Sequence, residues 1–315
     1  MPAERIASLL AAGTEIVAEL GLLDRLVAIS HECDRPAGAL SRPRVTRTRI
    51  DPSRDSADVD RQVRAALAAG LPLYDIDLDA LTRLAPDLLL TQAHCEVCAV
   101  DVRAVQTAVA AAPALKGATV VSLNPVSLGD MLVDLQRVAD AAGVTEAGRA
   151  AVDRLQTRIN AVAGRTASRT NADRPRVACI EWVEPLMIAA NWMPELVHRA
   201  GGRCDLTRPG ERSRVTRWDD VIAFDPEIIV VMPCGFDLDR AVREAATLSR
   251  LPGWRRTSAV RSGRVYAADG NVYFNRSGPG LVDSLELLTA LLNHEAATDV
   301  RFAGAIAPLS DAFAG

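Results

Sequence analysis

Short apolar runs alternate with longer amphipathic stretches along this chain, the pattern of βα units and parallel sheets. Runs at residues 6–10, 26–30, 88–91 and 119–123 predict the strands of one sheet, and 176–181, 228–232 and 265–268 those of a second. Ile16, Val17 and Leu20 fall at helical spacing over 13–20, with Thr14 in place to cap that helix. Residues 35–56, rich in Arg, Pro, Asp and Ser, predict an irregular solvated loop. Residues 84–90 and 224–230 share one pattern, a helix stopped at the residue before proline, then an acidic residue and a buried strand. The repetition favours two lobes of similar topology. Between them, Ser127 and Asp130 form a capping pattern ahead of Leu128, Met131, Leu135 and Val138. Thr145 then opens a helix with Val152, Leu155, Ile159 and Val162 on one face, which Gly164 closes. The predicted organisation is an N-terminal α/β lobe (1–126), a helical segment with a bridging helix (127–165), a C-terminal α/β lobe (166–295) and a tail (296–315).

The length, 315 residues, suits two domains, and 49% apolar with 24% charged residues is ordinary for a chain that buries real cores. A net charge of −4 argues against general nucleic-acid binding. No apolar stretch reaches a membrane span. Lys116 is the single lysine, which excludes Schiff-base chemistry elsewhere and a P-loop lysine. No secretory leader is visible ahead of residue 6, so the expectation is a cytoplasmic protein; a chain with its leader removed would read the same way.

In open α/β sheets ligands bind beyond the carboxyl ends of the strands. His31-Glu32-Cys33 follows the second strand, and Cys95-Glu96-Val97-Cys98 follows the third. His31, Cys33, Cys95 and Cys98 together have the ligand types of a thiolate-rich zinc or iron site. The same cysteines also suit small apolar fillers in tight loops. Cys179 and Cys204 read as buried residues, and Cys234 stays open. Trp182, Trp192, Tyr273 and Phe274 offer flat faces for a planar ligand. Tyr74, Phe236, Asn271 and Arg276 complete the candidate ligand-binding set, and Glu181 and Asp269 are placed to pair with Arg276 or Arg240.

Ile6-Ala7-Ser8-Leu9, Thr14-Glu15-Ile16-Val17, Asp24-Arg25-Leu26-Val27-Ala28-Ile29-Ser30 and Cys33-Asp34-Arg35-Pro36 resemble the opening of the vitamin B12 and iron-siderophore substrate-binding proteins of ABC importers. The similarity continues through Leu84-Ala85-Pro86-Asp87, Trp218-Asp219-Asp220-Val221 and Val260-Arg261-Ser262-Gly263-Arg264. It implies two Rossmann-like lobes with parallel sheets, bridged by a long α-helix, with a ligand in the cleft. His31-Glu32-Cys33, Cys95-Glu96-Val97-Cys98 and Asn271-Val272-Tyr273-Phe274-Asn275-Arg276 look like the leaderless, cobalamin-binding subgroup. The implied function is non-enzymatic binding of cobalamin or a related corrinoid. Two alternatives stand beside it. One is a zinc- or iron-binding protein or metalloenzyme built on the His/Cys cluster, with Glu32 or Glu96 as base. The other is an importer component, for which a permease partner follows only if the chain is exported.

Overall fold

The computed structural model describes residues 2–93, 100–296 and 299–309. The N-terminal half runs β1 (Ile6–Ser8), α1 (Ala11–Glu19), β2 (Leu26–Ala28), β3 (Thr46–Thr48), α2 (Ser56–Ala68), β4 (Tyr74–Ile76), α3 (Leu78–Leu84), β5 (Leu88–Gln92), α4 (Val102–Ala111), β6 (Thr119–Leu123) and α5 (Leu128–Ala141). After α6 (Thr145–Thr166) the C-terminal half runs β7 (Val177–Trp182), β8 (Met187–Ile188), α7 (Met193–Arg199), β9 (Arg214–Val215), α8 (Trp218–Phe224), β10 (Ile228–Val231), α9 (Leu238–Ala246), α10 (Ser258–Arg261), β11 (Val265–Ala268), α11 (Gly280–Leu292) and β12 (Ile306–Pro308).

The first sheet has the order β2-β1-β5-β6, all parallel. The second has the order β12-β11-β10-β7-β8-β9, with β11, β10 and β7 parallel and the three others antiparallel to their neighbours. β3, inside the stretch expected to be irregular, pairs with β4 as a separate antiparallel ribbon. Alternate residues of each sheet enter different cores, as a period of two requires. Ala7, Ala28 and Leu89 face one satellite core, and Ala178, Ile229 and Val231 another. Ile6, Leu26, Leu88 and Leu90 share a single core with Val177, Ile228 and Val230 of the other lobe.

That shared core is built around α6. At about 1.5 Å per residue its 22 residues span about 33 Å. Its buried face carries Leu155, Ile159 and Val162, each burial contributing about 1.5–3 kcal/mol. Arg154 pairs with Glu19 of α1 on one side, and Arg158 pairs with Asp283 and Glu286 of α11 on the other. The helix runs through Gly164 to Thr166, because that glycine keeps helical backbone and is not a left-handed cap. The fold is therefore two α/β lobes bridged by a long helix.

The repeated pattern has a backbone counterpart. Ala85 and Asp225 both adopt left-handed φ (42° and 48°) after α3 and α8, each just before proline and a central strand. Thr14 does not cap α1: the helix begins at Ala11 behind Leu10, and the Thr14 hydroxyl lies 3.0 Å from Cys33 Sγ. The stretch after residue 296 packs down where described, with Phe302 buried and β12 paired to β11.

Candidate functional site

Arg44 Nη1 donates to the Ser30 and His31 carbonyls and shapes the turn after β2. Thr46 at the start of β3 then fixes His31. Its hydroxyl accepts from the His31 backbone N–H (2.9 Å), lies 2.7 Å from Nδ1, and donates to Ser30 Oγ. With that proton directed at Ser30, Thr46 accepts from the ring in the tautomer that carries its proton on Nδ1. Nε2 is left as a bare lone pair, 3.9 Å from Glu32 Oε1. Burial, reinforced by Arg44, lowers the His31 pKa to about 4, so the ring is neutral at ordinary pH. Tyr74 of β4 packs beside it at 5.4 Å.

Glu32 keeps 41% of its side-chain surface accessible, yet burial pushes its pKa up to about 7 against the opposing pull of Arg276. Both hold for a group where the lobes face each other, partly open to water with protein packed closely around it. Across from it stand the ends of β7 and β10. The Cys234 N–H donates to the Glu181 carbonyl, and burial, with Glu181 and Glu32 adding, pushes the Cys234 thiol up to about 12. Burial also raises Glu181, whose carboxyl accepts from Ser213 Oγ at 2.5 Å. Burial first, then Glu32 and Cys234, raise the Tyr74 phenol. His31, Glu32, Tyr74, Glu181 and Cys234 thus come together where the two lobes face each other.

Two interlobe ties flank this space. On one side Arg276, nearly buried, reaches Asp34 (2.8 Å) and Glu15 (3.3 Å), and donates to Asn271 Oδ1 (2.8 Å). Asn271 donates to Asp34, and Arg35 donates to the Val272 carbonyl. Gly270 makes this possible, since a Cβ there would collide with the Met232 and Pro233 carbonyls. On the other side Glu244 accepts from Ser56 N and Oγ (3.1 and 2.6 Å). Trp182 Nε1 donates to the Ser56 carbonyl, and its ring meets Phe236 edge-on at 5.2 Å. Arg240 donates to the Arg54 carbonyl and lies over the Phe236 ring.

Several expected roles change. Trp192 and Phe274 are core residues, 7% and 1% exposed; Trp192 Nε1 donates to the Phe274 carbonyl, so neither ring is a stacking face. Tyr273 is half-buried and packs on that core beside Phe302. Phe236 is buried under Trp182 and Arg240. Arg276 and Asn271 are spent on interlobe pairing. Cys33 is fully buried against Thr14, its thiol pKa raised by burial, so it packs in the core away from the cleft. Cys95 and Cys98 lie outside the described residues. Among the described residues no group of three or more His, Cys, Asp or Glu is set to hold a metal ion. Glu181 pairs with Ser213, and Asp269 with the Asn271 and Val272 N–H groups, instead of with arginines. Cys179 and Cys204 are buried as expected. The residues not foreseen are Ser56, Glu244 and Asp34; Asp55 capping α2 ahead of Ser56 was the one available signal.

The sequence profile of the periplasmic binding proteins matches residues 6–272. The chain belongs to that family. No curated protein matches it in sequence. Solved structures share the fold. The periplasmic vitamin B12-binding protein BtuF of Vibrio cholerae is 21% identical, with 93% of this chain and 98% of that one covered and a TM-score of 0.66. A periplasmic heme-binding protein from Pseudomonas aeruginosa is 22% identical, with 92% of each chain covered and a TM-score of 0.69. The periplasmic heme-binding protein RhuT from Roseiflexus sp. RS-1, in apo form, is 21% identical, with 93% and 99% covered and a TM-score of 0.67. Membership in a periplasmic family lends the cytoplasmic expectation no support. No helix of the described residues is long and apolar enough to cross a membrane.

Proposed function

We propose that this periplasmic binding protein takes a metal-centred planar macrocycle, cobalamin or another corrinoid or a haem, into the cleft between its lobes, without chemical conversion. The observation that carries the reading is His31. A neutral imidazole engaged by Thr46 through Nδ1 leaves Nε2 as the ring nitrogen to meet a metal from the cleft wall. Trp182 supplies an aromatic edge, while Glu32, Tyr74 and Glu181 supply polar groups for the macrocycle's periphery. The names of the fold relatives, one for vitamin B12 and two for heme, support the same ligand class. A permease is the partner such a protein would serve. The zinc or iron reading loses Cys33 from its ligand set, and its Cys95 and Cys98 lie outside the described residues.

Titration of the protein with aquacobalamin and, separately, with haemin, followed by visible absorbance, tests this. One of the two should shift its spectrum on binding, and His31→Ala should abolish the shift. Neither spectrum changing, with no heat in calorimetry, would refute the proposal. A shift equal in wild type and His31→Ala would keep the cleft as binder and remove the imidazole ligand.

A further inference from the structure

Residues 50–72 make an excursion from the β3–β4 ribbon. The chain leaves the ribbon after Arg49 and rejoins it at Leu73. There the Arg49 N–H donates to the Leu73 carbonyl (2.9 Å), and the Arg49 side chain pairs with Asp75. The body of the excursion is α2, 13 residues and about 20 Å long. Its tip, Arg54–Ser56, crosses to the C-terminal lobe. Among the described residues, every hydrogen bond from this excursion to the rest of the chain lies at its base or its tip.

Between those ends the polar contacts are internal. Gln62 accepts from the Asp51 N–H, Asp55 caps α2 at Asp58, and Arg61 and Arg64 pair with Asp58 and Asp60 about one turn back. Apolar packing does not hold the body either. Val59, Val63, Leu67 and Leu71 recur every fourth residue, yet none belongs to any of the three cores, and Leu67 and Leu71 are exposed. A helix held by its ends and not by its face leaves its seat at little cost in buried surface. On the return side Gly70 has left-handed φ (66°) with open space around it, a joint that can turn without a clash.

The two ends stand on opposite lobes beside the candidate site. The base runs into Tyr74, which packs beside His31. The tip rests on Trp182 at the carboxyl end of β7. We propose that residues 50–72 are a lid across the site, hinged at Arg49 and Leu73 and clasped to the C-terminal lobe at Ser56. Glu244 accepts the Ser56 N–H and hydroxyl, Trp182 shares its indole N–H between the Ser56 and Glu184 carbonyls, and Arg240 donates to the Arg54 carbonyl. Opening the clasp returns these groups to water, which replaces their hydrogen bonds, while the Arg276 tie stays closed. That the lid gates a macrocycle rests on the function proposed above; the lid motion itself does not.

The motion is tested on the full chain without ligand, by brief trypsin digestion with mass-spectrometric mapping of the cuts. An isolated 13-residue helix is marginal in water, so an opened lid is cut at Arg61 and Arg64. Glu244→Ala should speed those two cuts about tenfold, the loss of one charge-assisted hydrogen-bonding group, with the cut at Arg158 of α6 unchanged. Arg240→Met, which keeps apolar cover over Phe236, should act in the same direction and decides if Glu244→Ala fails to fold. Unchanged cutting at Arg61 and Arg64 in both variants, or acceleration spread evenly over the chain, would overturn the lid. Stopped-flow mixing with haemin and with aquacobalamin then tests gating. The observed rate should level off with concentration in wild type, at the rate of opening, and keep rising in Glu244→Ala. A linear rise in wild type would remove the lid from the entry path. No binding of either compound would refute the proposed function, and the trypsin result would still decide the lid.

Discussion

Replacing Glu32 by Gln should make the ligand-free protein more stable, and only above a definite pH. The Glu32 carboxyl sits near 7 in the folded chain against an ordinary 4.5. Below 4.5 it is protonated in both states and contributes nothing to the difference. Between 4.5 and 7 the unfolded chain ionises while the folded one does not, so stability falls with rising pH, and above 7 the loss is complete. At about 1.36 kcal/mol per tenfold change in proton affinity the full loss would be about 3.4 kcal/mol. Because 41% of the side chain is accessible, solvent screening reduces this to about 1–2 kcal/mol. Gln removes that loss. With an unfolding entropy of roughly 2.1 cal/mol/K per residue, the gain appears as a rise of about 2–3 °C in thermal midpoint at pH 8, shrinking to nothing by pH 4.5. Circular-dichroism melts of both proteins at pH 8, 6 and 4.5 measure it. A Gln variant no more stable at pH 8, or equally stabilised at pH 4.5, would refute the placement of Glu32 in a desolvating cleft.

His31 titrates in the opposite sense: its folded pKa is depressed to about 4, so its contribution is present above 6.5 and lost as pH falls towards 4. The Glu32→Gln variant should therefore lose stability on acidification from pH 6.5 to 4 more steeply than wild type in the same melts. Ser56→Ala deletes the 2.6 Å bond to buried Glu244 and should cost about 1–3 kcal/mol in urea unfolding, with faster release of bound macrocycle in stopped flow. Arg276→Met takes the buried guanidinium from Glu15, which keeps Arg35, and from Asp34, which keeps Asn271, and should cost about 1.5–3 kcal/mol; a loss under 1 kcal/mol would dismiss the interlobe tie. Cys234, pushed up to about 12, should react slowly with maleimide at pH 8 despite its accessible surface, and quickly once urea opens the protein. Peptide mapping of the labelled thiols reads this directly.

The parallel strands of both sheets were legible as short apolar runs bounded by turn residues, while β3, β4, β8, β9 and β12 were not, and the bridging helix was legible because Leu155, Ile159 and Val162 recur on one face. α2 was not, since it follows directly on a polar loop and its apolar positions Val59, Val63 and Leu67 stay partly or largely exposed, with Ser56 its single buried residue. In the candidate site, the carboxyl-end rule placed His31 and Glu32 just past β2, where the structure has them. It could not separate a cleft aromatic from a core aromatic: Trp182 and Trp192 have the same composition signal, and only the Phe274 carbonyl bound to Trp192 distinguishes them. Arg276 was misread because its partner Glu15 lies 261 positions away. Cys33 was misread because the Thr14 hydroxyl that holds it comes from another element.

The core shared by both lobes has a consequence for communication. A hinge needs a few residues free to change φ and ψ, whereas α6 offers a hydrogen-bonded helix whose side chains are packed into both lobes at once. The outer faces of the lobes are therefore held at a nearly constant spacing, like the jaws of a fixed gauge. A docking partner gripping both faces would measure the same distance whether or not cargo is present. The message that cargo has arrived must then be written at the rim, where Trp182 and the Ser56–Glu244 tie meet the cleft, and the body of the molecule serves as the unmoving reference against which that small change is read.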